Sequence, residues 1–150
     1  MKRILIASDG SPEAQEAVEY GLELARSSHG SATVVYVRRA PRPLMGDPFY
    51  QRDLTDGLHR ADDALGSALR IAADLGVEAD TEILEGDPAT QIIKLAQYRD
   101  VDLIVLGSRN RGPLVAALLG SVSKDVVTHA DRPVLIAHRS ASPRRTLATA

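Results

Sequence analysis

The chain of 150 residues contains no cysteine, which excludes disulfides, thiolate metal sites and cysteine nucleophiles. Tryptophan is also absent, and one Phe and four Tyr are the only aromatics. The core must therefore be aliphatic, and the scarcity argues against a stacking platform for single-stranded nucleic acid. Neither sign of charge dominates: a formal net charge of -2 gives no reason to expect nucleic acid or an anionic membrane as partner. Long apolar runs are missing too. The start Met-Lys-Arg leads straight into a strand-like run too short for a signal peptide or a membrane span, so the cytoplasm is the expected location. What is present, 44% hydrophobic and 25% charged residues, describes one soluble globular domain with room for an ordinary core.

Short apolar runs alternate with stretches of helical period. Strands are expected at residues 4–7, 32–37, 77–84, 102–106 and 133–137. Between the first two, Ala14, Ala17, Val18, Gly21, Leu22 and Ala25 recur at helical spacing, after a Ser11-Pro12 start suited to a cap and first turn. Leu58, Ala61, Leu65, Ala68, Leu69, Ala72 and Leu75 form a second stripe, stopped by Gly76. Asp87-Pro88 opens a third helix carrying Ile92, Ile93 and Ala96, and a last one runs from near Ser121 to about His129. This alternation predicts an α/β fold, a doubly wound five-stranded parallel sheet of flavodoxin or Rossmann type with helices on both faces. Ligands of such sheets bind at the carboxyl ends of the strands where strand order reverses. The irregular connection over residues 40–50 is either a lid or a surface-packed loop, and residues 139–150 read as a flexible tail.

Two segments fall at that expected mouth. The first strand ends Ala7-Ser8-Asp9-Gly10-Ser11-Pro12, which is neither a dinucleotide fingerprint nor a P-loop. Asp9 there would repel a phosphate but suits a ribose hydroxyl or an adenine amine; alternatively it helps cap the following helix. The second segment runs Gly107-Ser-Arg-Asn110-Arg-Gly112 through to Gly120-Ser121-Val122-Ser123. A strand opening into a glycine-bearing loop and a helix start presents backbone N–H groups and a positive dipole end to an anion. Arg109 and Arg111 add charge, Ser121 and Ser123 are candidate phosphate donors, and Ser121 is equally a candidate cap. Asn110 tolerates left-handed backbone, and Gly112 adds flexibility beside it. No Asp or Glu lies between Gly107 and Ser123, so this loop offers no carboxylate for magnesium or general-base work. His29, His59, His129 and His138 have no metal-ligand spacing, and no serine–histidine–acid arrangement is suggested. The site is thus read for binding, with at most slow hydrolysis, and no catalytic or metal residue is assigned.

Over residues 2–138 the chain resembles the universal stress protein family. The resemblance rests on Ile4-Leu-Ile-Ala-Ser-Asp9-Gly-Ser-Pro12, Tyr36-Val37, Glu85-Gly86-Asp87-Pro88, the Gly107–Ser121 loop and Ala130-Asp-Arg-Pro133-Val-Leu-Ile. Nucleotide-binding members carry Gly-x-x-Gly, nine residues, then Gly-Ser or Gly-Thr; here Gly107, Gly120 and Ser121 match and Asn110 replaces the second glycine. The resemblance implies a single domain over 1–138, strand order 3-2-1-4-5, a homodimer formed through the last strand, and an unidentified protein partner. It implies ATP, with or without Mg2+, as ligand. Asp9 and backbone near Ala7, Ser8 and Val37 would contact the adenosine. Gly107, Gly120, Ser121 and Val122 would hold the phosphates, beside Asn110, Gly112 and Ser123, which the residues themselves offer as candidates. The function so implied is a nucleotide-dependent stress-response or regulatory module; the alternative is a dimeric interaction module of the same family without nucleotide.

Overall fold

A computed structural model describes residues 2–39, 50–108 and 119–138. Asn110 and Gly112, together with Arg109, Arg111, the connection over 40–49 and the tail over 139–150, lie outside the described residues. The described elements run β1 (Arg3–Ala7), α1 (Pro12–Ser27), β2 (Ser31–Arg38), α2 (Tyr50–Leu75), β3 (Glu78–Glu85), α3 (Pro88–Tyr98), β4 (Leu103–Gly107), α4 (Ser121–His129) and β5 (Val134–Ala137). All four strand pairings are parallel, in the order β3-β2-β1-β4-β5.

Side chains alternate across the sheet and so build two cores. On one face Ile4, Ile6, Val34, Leu103 and Val105 meet Ala17, Val18, Leu22 and Ala25 of α1 and Ala61, Leu65, Ala68 and Ala72 of α2. On the other, Leu5, Val35, Ile104 and Leu106 meet Ala89, Ile92, Leu95 and Ala96 of α3 and Val126 of α4. The six residues expected on the inner stripe of α1 are its buried ones. In α2 the stripe departs from expectation, because Leu58 and Leu69 are 43% and 40% exposed. Ala61, Leu65, Ala68 and Ala72 of the same stripe belong to the core on that face, and the two leucines do not.

Turn chemistry fixes where the helices start and stop. Gly10 takes φ 78°, a left-handed backbone that glycine adopts without a side-chain penalty, and turns the chain from β1 into α1. Ser11 then caps α1, its Oγ accepting from the Ala14 N–H at 3.1 Å, with Pro12 in the first turn. Gly76, at φ 69°, ends α2 while its N–H and that of Val77 donate to Ala73 and Ala72 carbonyls. Asp87 caps α3 by accepting from the Thr90 N–H (3.0 Å) and hydroxyl (2.7 Å). These bonds hold its carboxyl below the usual range, with the Thr90 N–H the largest cause.

The two edges of the sheet differ. β3 is not apolar along its length: Glu78, Asp80, Glu82 and Glu85 interrupt it. Arg99, at the end of α3, pairs with Asp80 (2.8 Å) and Glu82, and Arg38 pairs with Glu85 (2.5 Å). Charge of this kind discourages further strand pairing. β5 is the opposite, four uncharged residues Val-Leu-Ile-Ala, all only half-buried.

Candidate functional site

Strand order reverses between β1 and β4, because β2 continues from β1 on one side and β4 is added on the other. At their carboxyl ends a crevice of about 200 Å³ opens. Its floor is apolar, from Ala7, Val35, Val37, Leu106 and Ile92, and its rim carries Asp9, Glu13 and Arg39. Gly107 closes one side against Gly120, Val122 and Ser123.

The apolar half suits a flat ring. Val35 accepts from the Ser8 N–H at 2.9 Å, so its polar groups point toward β1. By strand alternation those of Val37 point the same way, past the place where β1 has ended at Ala7 and the chain has turned at Gly10. Ser8 itself is buried, and its Oγ accepts from the Gly10 N–H at 3.3 Å. Asp9 stands exposed at the rim, where its Oδ1 accepts from the Ser11 N–H at 2.9 Å. The carboxylate therefore helps shape the entry to α1 and lines the crevice at once.

The polar half suits an anion. Gly120 is the N-cap of α4 and supplies no side-chain cap bond. The first bond of the helix runs from the Lys124 N–H to the Gly120 carbonyl at 2.9 Å, so the N–H groups of Ser121, Val122 and Ser123 precede the ladder. An uncapped start of this kind concentrates positive potential at the crevice wall. Ser123 is buried, and its hydroxyl donates to the Gly107 carbonyl at 3.3 Å. Its side chain thus pins α4 to the end of β4, and only its backbone N–H stays outside the helical ladder. Ser121 is exposed at the first helical position and is not among the lining residues; the cap is Gly120, not Ser121.

Gly107 has a reason for its identity besides any ligand. A Cβ placed there would lie 2.6 Å from the Glu13 carbonyl oxygen and 3.1 Å from the Ala14 nitrogen. The first turn of α1 packs directly on this glycine, which draws Glu13 to the crevice. Arg39 arrives from the end of β2, close enough to Asp87 that its charge helps lower that carboxyl. Sequence reading had missed Glu13, Arg39, Pro88 and Ile92. Only the Asp87-Pro88 helix start hinted that α3 opens at the same end of the sheet. A further pairing was also unforeseen: Ser108 Oγ lies 3.2 Å from His138 Nδ1, joining the ends of β4 and β5. Among the described residues no group of His, Asp and Glu is arranged to hold a metal ion, and no helix is long and apolar enough to cross a membrane.

A five-stranded parallel sheet with an apolar slot and an uncapped helix start at its switch point defines a doubly wound α/β protein. The universal stress protein family model matches residues 1–138, and the chain belongs to that family. A universal stress protein of Thermus aquaticus is 36% identical over 137 residues, covering 90% of this chain and 97% of the relative. The structure of UspA from Lactobacillus plantarum superposes with a TM-score of 0.80 at 28% identity, over 91% of this chain and 97% of that one. A universal stress protein family member of Arabidopsis thaliana, solved with AMP bound, shares the fold at a TM-score of 0.71 and 22% identity, over 97% of each chain. Two further neighbours of this fold were solved with dAMP and with cAMP.

Proposed function

We propose that this protein binds an adenine nucleotide in the β1–β4 crevice and acts as a nucleotide-dependent regulatory module of the universal stress protein family. The observation that carries this reading is the uncapped start of α4 facing an apolar slot across Gly107. The slot takes the base, with the Val37 backbone at its edge; Asp9 takes the ribose; the α4 N–H groups take phosphate. ATP is the nucleotide that the family resemblance implies, and Mg2+ would accompany it through its phosphates. Family members solved with AMP, dAMP and cAMP support an adenosine-centred site. The uncharged, half-buried edge of β5 supports a homodimer formed by pairing that strand with a second copy. The domain ends near residue 138, with a tail beyond it, and the protein partner that reads the nucleotide state is of unknown class.

Asp9→Ala tests the assignment of ends. Because Asp9 serves the nucleoside, the variant should weaken AMP, ADP and ATP by similar factors, on the order of ten-fold for one charged hydrogen bond of about 1.5 kcal/mol. A loss confined to ATP would reverse the orientation. Wild-type protein that binds none of the three would point instead to a dimeric interaction module without nucleotide, and sedimentation of that protein would still report the dimer.

A further inference from the structure

The pleat of β2 sends alternate side chains to opposite faces of the sheet. Val35 and Val37 pack in the core under α3, whereas Val34 and Tyr36 pack in the core under α1 and α2. The two arginines that follow divide in the same way. Arg38 continues the row of Val34 and Tyr36 and pairs with Glu85. Arg39 continues the row of Val35 and Val37, lines the crevice and is exposed at its mouth. It lies close enough to Asp87, the N-cap of α3, for its charge to act on that carboxyl. The guanidinium is thus held at the start of α3, where Pro88 and Ile92 complete the apolar slot. The anion-facing start of α4 stands instead beside Gly107 at the end of β4, and β1 separates β2 from β4. Two strand spacings amount to about 10 Å, so a guanidinium beside Asp87 serves the base end of the crevice and not the phosphate end.

Resting on the proposed nucleotide site, we infer that Arg39 is a base-binding residue whose guanidinium covers the open face of the ring. A base lying on Val35, Val37 and Ile92 would keep its other face toward the mouth, where Arg39 stands. A guanidinium is planar, delocalised and weakly hydrated, so it lies flat on an aromatic face at little desolvation cost. The contact is made with the ring. Its strength therefore does not depend on the number of phosphates, nor on the arginines of the segment that follows β4. Removing it should cost about three- to ten-fold in affinity.

The test is calorimetric titration of the full-length protein with adenosine, AMP and ribose 5-phosphate, with melting curves to establish that each variant folds. Arg39→Ala should weaken adenosine and AMP by the same factor, about three- to ten-fold, and leave ribose 5-phosphate unchanged. Arg39→Met keeps the apolar stem without the charged plane and should behave as Arg39→Ala does. Arg39→Lys keeps the charge and should retain part of the affinity. Raised salt should leave the adenosine factor in place, because that ligand carries no net charge. The inference is overturned if Arg39→Ala weakens AMP and ribose 5-phosphate but spares adenosine, the pattern of a phosphate contact. It is overturned equally if Arg39→Met binds as the parent does, or if the wild type binds AMP but no adenosine up to millimolar concentration. All three results leave the nucleotide site standing. Wild-type protein that binds neither adenosine nor AMP overturns the site itself, which separates the two failures.

Discussion

Gly107 is the residue at which fold and site are hardest to separate, and replacing it by alanine separates them. The new Cβ would stand 2.6 Å from the Glu13 carbonyl oxygen, 2.9 Å from the Glu13 carbonyl carbon and 3.1 Å from the Ala14 nitrogen. All three are backbone atoms, so no side-chain rotation relieves the clash. Ordinary contact begins near 3.4 Å, so the start of α1 must retreat by roughly 0.8 Å. That helix cannot shift at one end alone, because Ala14, Ala17, Val18 and Gly21 hold it on the sheet. Overpacking typically costs 1–3 kcal/mol, and a backbone clash belongs at the upper end, about 2–3 kcal/mol. For a domain of this size that lowers the melting temperature by roughly 5–10 °C. Gly66→Ala is the matching control. Its Cβ meets only the Arg70 guanidinium, at 3.7 Å, within α2. Relief of the glycine entropy cost should raise stability by about 0.5–1 kcal/mol. Both are read by thermal unfolding without nucleotide at one fixed protein concentration. A Gly107→Ala protein that melts with the parent would refute the packing argument and leave Gly107 with a ligand role alone.

Two further outcomes follow from the packing and the charges. Leu65→Ala should cost about 2–4 kcal/mol, whereas Leu58→Ala should stay within about 0.5 kcal/mol, as denaturant melts would report; equal losses would mean that α2 is rotated from the face described. In acid, Asp102 is held below the usual carboxylate range because it accepts from the Arg3 and Lys2 N–H groups, at 2.9 and 2.7 Å. Asp87 is lowered by its cap bonds to Thr90. Since both folded values lie below the unfolded one, their stabilisation is present above about pH 4 and is lost as pH falls through the folded values. The double variant Asp87→Asn, Asp102→Asn should therefore show a shallower fall in melting temperature on acidification, and parallel curves would contradict the assignment.

The α1 stripe was legible in full because the helix lies flat on the sheet, so period and burial coincide at all six positions. Period alone could not mark the edge of the α2 stripe, since which of two adjacent apolar rows touches the sheet depends on how the helix rolls. β3 was legible as a strand despite the carboxylates along it. Its carboxylates are answered by Arg99 and Arg38 from other elements, a match that only the tertiary fold reveals. At the site, Asp9, Gly107, Gly120, Val122 and Ser123 were legible because two local segments carry them, and all five line one crevice. Arg39, Glu13 and Ile92 come from three other elements, brought to the same place because every strand of a parallel sheet ends on the same side. Ser121 illustrates the converse. It sits in the right segment, but Gly120 takes the cap position, and Ser121, the first helical residue, is exposed to solvent.

The most direct test of the central reading is calorimetric titration of wild-type and Gly120→Val protein with AMP and ATP, beside their unliganded melting curves. Gly120 has φ -57° and ψ 160°, which valine also adopts, so the variant should fold. The account predicts saturable binding by the wild type and its loss in Gly120→Val, with the two unliganded melts alike. A variant that folds and binds as tightly as its parent, or a wild type that gives no heat up to millimolar nucleotide, would contradict it.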